Sequence, residues 1–123
     1  MYEILFWLYF INAALLIVHE IDSAYWREWE LFKLPGGLTG FLIIHIPLVM
    51  VVQYGIILIF QQSTCGIIIS LVVSFSGIFA FFIHQYFIKK GHTEFTPVIS
   101  QFILISIFII SLVQAFFSIY LLL

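Results

Sequence analysis

The chain has 123 residues, of which 64% are hydrophobic and 8% charged, with a formal net charge of −2. A soluble domain of this length cannot hide so much apolar surface, because too much of a small domain is surface, so lipid must be the solvent for most of it. Its four cations, Arg27, Lys33, Lys89 and Lys90, sit in two short breaks between apolar runs and form no basic face for nucleic acid.

A membrane span needs about 20 mainly apolar residues, and the chain offers four, roughly Ile4–Ala24, Leu38–Phe60, Gly66–Ile88 and Pro97–Tyr120. They use nearly the whole chain, so a single integral membrane domain over 1–123 is expected. Helix is the only sensible secondary structure, because one chain of this length with long apolar runs cannot close a barrel. The expected fold is all-α, a four-helix transmembrane bundle. The first run has no basic start and no small-x-small cleavage site, so it is expected to be retained as a span.

After the first span, Tyr25, Trp26 and Trp29 stand where an aromatic belt belongs. Pro35-Gly36-Gly37 turns the chain into the second span. The second break, Gln61–Cys65, carries no charge, and its single cysteine has no internal partner. Lys89 and Lys90 open the third break, and Thr96-Pro97 reads as an N-cap followed by proline at the first position of span four. Cations in short loops stay in the cytoplasm. Loops one and three are therefore expected inside and both termini on the non-cytoplasmic side.

The polar residues gather at one end. At about 1.5 Å per residue, His19 and Glu20 lie about one turn inside the end of span one. His45 lies roughly 10 Å into span two, and His84 about one turn from the end of span three. His92 and Glu94 follow in loop three, with Ser100 and Gln101 at the same level of span four. Helical rotation puts His19, Asp22, Ser23 and Trp26 on one face of span one, making His19 with Asp22 a plausible inward pair; Glu20 points toward Arg27. Ionisable groups inside a membrane are costly and are functional candidates by default. Three imidazoles with one or two carboxylates make a ligand set for zinc or non-haem iron. The expected metal ligands are His19, His45 and His84, with Glu20 or Asp22 as further ligand or general base. The plain alternative is a polar network, in which His45 bonds Gln101, Ser100 or a backbone carbonyl freed by Pro47. Ser100, Ser111, Gln114 and Ser118 share a face of span four and read as glue between helices, with Gln53 a partner for Gln114. Asn12 is expected to bond a neighbouring helix or line a cavity.

The stretch His19-Glu20-Ile21-Asp22-Ser23-Ala24-Tyr25-Trp26-Arg27-Glu28-Trp29-Glu30, continued by Leu31-Phe32-Lys33-Leu34-Pro35-Gly36-Gly37 and later His45-Ile46-Pro47, resembles an uncharacterised family of small four-span bacterial membrane proteins. A looser similarity links it to membrane proteins named for a His-x-x-Glu-Glu motif; here Asp22 follows His19 by three residues, and Ser23 stands in place of the second acid. The resemblance implies a multi-pass protein of a bacterial inner membrane and supplies no activity.

Three classes of function follow. The first is a metal-binding membrane protein, with zinc or iron as cofactor, acting on a lipid or other amphiphile at the cytoplasmic interface. The second is a small transporter subunit, for which Asn12 stands where an essential carboxylate belongs. The third is a structural, accessory or ligand-binding protein whose cluster fixes helix register. The lipid bilayer is the expected partner throughout, with a homo-oligomer or another membrane protein as a further one.

Overall fold

The computed structural model describes residues 1–123. It contains helices only: α1 (Tyr2–Tyr25), a single turn α2 (Glu28–Leu31), α3 (Gly37–Phe60), α4 (Thr64–Lys89) and α5 (Val98–Leu122). Their long members match the four apolar runs closely, and all four are long and apolar enough to cross a membrane. Pro47 lies inside α3 without ending it. Span four begins differently from the expectation. Pro97 takes the capping position with extended backbone, and the Thr96 hydroxyl donates to the Thr93 carbonyl (2.6 Å) instead of capping α5. A residue before proline is steered away from helix, and here the hydroxyl closes the loop.

Around the bundle the long helices run in chain order, and α5 closes the ring against α1. α1 and α4 also touch across the middle, whereas α3 and α5 occupy opposite corners without contact. The α1–α3 seam is tight at Gly55, where the Tyr9 hydroxyl enters and donates to the Val52 carbonyl at 2.6 Å. Gly77 does the same for α4 and α5, since an added Cβ would collide with the Ser111 hydroxyl.

The core far from α2 is held by polar groups as well as by packing. Asn12 donates to Ser111 Oγ (3.0 Å) and Gln114 Oε1 (2.9 Å). Gln114 Nε2 in turn donates to the Ser70 carbonyl and hydroxyl, both at 3.0 Å, and Ser70 and Ser118 hydroxyls bond at 2.8 Å. Ser100, Ser111, Gln114 and Ser118 are all buried, as their shared face implies. Gln114 is thus satisfied by α1 and α4. Its expected pairing with Gln53 does not form, because α3 and α5 stand diagonally apart.

Candidate metal centre

The polar end of the bundle is built by a break in the chain. α1 stops at Tyr25, and Arg27 adopts left-handed backbone (φ 53°, ψ 55°). That reversal folds α2 back beneath the bundle and turns Glu28 inward. Had α1 run on as a straight helix, Glu28 would lie about 180° around from His19, at 100° per residue. The break instead brings His19 of α1, Glu28 of α2 and His84 of α4 together. One ligand atom from each lies within 4.8 Å of the other two.

The two histidines are almost fully buried, at 1% and 2% exposure. Their rings meet edge to face with centroids 4.8 Å apart. His84 Nδ1 sits 2.6 Å from the Ala80 carbonyl, which can only accept, so Nδ1 carries the proton and donates. In the neutral ring Nε2 keeps its lone pair, and it lies 4.0 Å from Glu28 Oε2. A histidine whose far nitrogen is fixed by a carbonyl is oriented as metal-binding histidines are. His84 Nε2, Glu28 Oε2 and His19 Nδ1 are all buried and all lack a hydrogen-bond partner. Buried polar atoms are nearly always paired, so three orphans in one cluster form an uncommon concentration.

Phe95 closes this pocket. It lies in the loop between α4 and α5 yet is 1% exposed, with its ring 4.2 Å from that of His84 and 5.6 Å from that of His19. Its φ of 66° is unusual for a bulky residue and marks a conformation held by its surroundings. Gln101 supplies the hold, donating to the Phe95 carbonyl at 2.7 Å while accepting from Gln85 at 2.9 Å. Phe32 covers His84 from α2's side, with ring centroids 5.9 Å apart.

The remaining expected site residues are placed elsewhere. His45 does not join His19 and His84. Its Nδ1 lies 2.6 Å from the Phe41 carbonyl one turn back, and its Nε2 lies 2.6 Å from Glu20 Oε2. Glu20 therefore bridges α1 to α3 and is not paired with Arg27, which reaches Glu30 at 3.4 Å on the surface. Asp22 Oδ1 accepts from the Trp26 indole at 3.0 Å, so Asp22 is not the partner of His19; its Oδ2 is buried and unpaired. His92 and Glu94 face each other at 3.6 Å in the loop between α4 and α5.

Two cavities flank the Glu20–His45 bridge. One, of about 160 Å³, lies between α1, α3 and α4 and is lined by Leu16, Ile17, Leu48, Val49, Val52 and Val73, with Glu20, His45 and Ser76 as its polar members. A second, of about 90 Å³, runs from His45 and Phe41 under α2 to Glu28, past Trp29, Phe32, Leu34, Pro35 and Ile44. His45 is a wall of both.

Glu28 and Phe95 are the members that the sequence did not announce. Glu28 depends on the left-handed Arg27, and no residue pattern marks an arginine for that conformation. Phe95 carried a weak signal, a bulky apolar residue between Glu94 and Thr96 in an otherwise polar loop.

The chain belongs to the family of unknown function DUF6713, whose model matches residues 5–121. Neither the curated proteins nor the solved structures yield a match to it.

Proposed function

We propose that this member of a family without an assigned activity is a multi-pass inner-membrane protein that holds a divalent metal, zinc or ferrous iron, between His19, Glu28 and His84. The observation that carries this reading is that His19, Glu28 and His84, from three separate helices, each bring a ligand atom within 4.8 Å of the other two, and that each also keeps a buried, unpartnered nitrogen or oxygen. Two histidines and one carboxylate with a fourth position open are the donor set of catalytic zinc sites and of non-haem iron sites. Ligands on a tetrahedral zinc with bonds of about 2.0 Å stand about 3.3 Å apart, so binding draws the three atoms inward from their 4.8 Å spread.

An ion so held supplies Lewis acidity to a bound oxygen group. The substrate class that fits is an amphiphile. Its apolar part occupies the 160 Å³ cavity open between α1 and α3, and its polar part passes His45 toward Glu28 through the smaller one. Glu20 and His45 meet the junction between head and tail. Asp22, steadied by Trp26 and keeping one buried oxygen free, is the general base of this reading. The cations of loops one and three support a cytoplasmic position for this end of the bundle.

Metal binding to the folded state raises stability by mass action, by about 2.7 kcal/mol at free metal a hundred times Kd. The melting temperature of the detergent-solubilised protein is expected to climb with added zinc or ferrous iron. Magnesium, which prefers oxygen ligands, is expected to leave it unmoved, and His84→Ala to abolish the climb. A melting temperature indifferent to zinc and iron contradicts the proposal.

A further inference from the structure

Gln53 is the exception among the amides within the long helices. Asn12, Gln85, Gln101 and Gln114 all bond neighbouring helices or loops. The Gln53 side chain is exposed and bonds nothing within the chain. It lies about 10 Å inside the Phe60 end of α3, at 1.5 Å per residue. At that depth the solvent is hydrocarbon, where an unpaired amide is costly.

Helical rotation sets Gln53 on a face of α3 turned away from Phe41, Gly55 and Ile59, the residues α3 buries. α3 is also the most open helix, with 11% of its apolar window buried against 28%, 33% and 39% for the other three. Along the Gln53 face run Ile43, Ile46, Met50, Ile57 and Phe60, all more than half exposed. With Gln53 they alternate steps of three and four residues, the repeat of two helices wound left-handed about each other. Exposed apolar residues alone are ordinary on a membrane helix and select no partner. The amide does.

We infer that α3 is the interface of a parallel homodimer in which Gln53 of each copy bonds Gln53 of the other. Two copies inserted the same way carry this residue at the same depth. A two-fold axis along the membrane normal sets like against like, and a primary amide is donor and acceptor at once. A lone polar residue in such a seam fixes register and partner number. A second copy supplies the matching group automatically, whereas a different protein needs its own amide at that level. This inference stands apart from the metal reading, since it uses the other half of the bundle.

The test is cysteine cross-linking in native membranes, in a Cys65→Ser background. Ile46→Cys, Met50→Cys, Gln53→Cys and Ile57→Cys are expected to give disulfide dimers on mild oxidation. Ile44→Cys and Leu48→Cys, exposed on the other side of α3, are expected to remain monomers. Cross-links of equal yield at all six positions, or none at any while a small thiol reagent labels them, overturn the dimer. In lipid bicelles Gln53→Leu is expected to weaken self-association about three- to thirtyfold, the range of a membrane hydrogen bond, with Gln53→Asn retaining most of it. Self-association unchanged in Gln53→Leu overturns the role of the amide.

Discussion

Arg27→Pro is expected to remove the carboxylate from the metal centre while the bundle stays folded. Arg27 sits at φ 53°, and proline is locked near −65°, so the reversal that turns Glu28 inward is no longer open to the chain. Metal affinity is expected to fall by about a hundredfold or more, because a lost ligand exceeds the tenfold to hundredfold cost of a lost supporting contact. The guanidinium itself contributes little, since its one ion pair, with Glu30, is exposed. Arg27→Gly is therefore the control. Glycine accepts positive φ at no steric cost, and this variant is expected to bind metal as the wild type does. Zinc titration calorimetry on the three proteins checks the pair. Equal loss in both variants shows that the side chain matters and the backbone reversal does not.

Gly77→Leu is expected to destabilise the bundle strongly. A Cβ here already overlaps the Ser111 hydroxyl and stands 2.9 Å from Ile107 Cγ2. Overpacking costs about 1–3 kcal/mol, occasionally more, and Ser111 must move to make room. Its movement withdraws an acceptor from the buried Asn12 amide, at about 1–3 kcal/mol for a group left unsatisfied. The two costs together exceed either alone. Reversible unfolding in mixed micelles measures the loss. Gly77→Ala with Ser111→Gly is expected to regain the packing part and not the hydrogen-bond part. A Gly77→Leu protein as stable as the wild type shows that α4 and α5 do not approach at this point.

The long helices were legible because apolar run length alone selects them, and lipid imposes helix on them. The seam of Ser100, Ser111, Gln114 and Ser118 was legible for a similar reason, because one periodicity set their shared face. The site was legible only in part. Depth along each span brought His19 and His84 to one level, and they do meet. Depth could not choose between them and His45, because azimuth decides which residues converge. α3 turns His45 toward Glu20 on α1, not toward α4. Glu20 and Asp22 were read from helical rotation within span one, which says nothing of Glu28 beyond its end. Glu28 enters only through the left-handed Arg27. The Gln114 partner failed on the same ground, since two spans running in the same direction need not be neighbours, and α3 and α5 sit across the diagonal.

The most direct measurement is elemental analysis of the purified protein beside His19→Ala, Glu28→Ala, His84→Ala and His45→Ala. The account predicts about one zinc or iron per chain in the wild type and in His45→Ala, and loss of that metal in the other three, each still folded by circular dichroism. No metal in the wild type after supplementation, or metal lost from His45→Ala as completely as from His84→Ala, would contradict it.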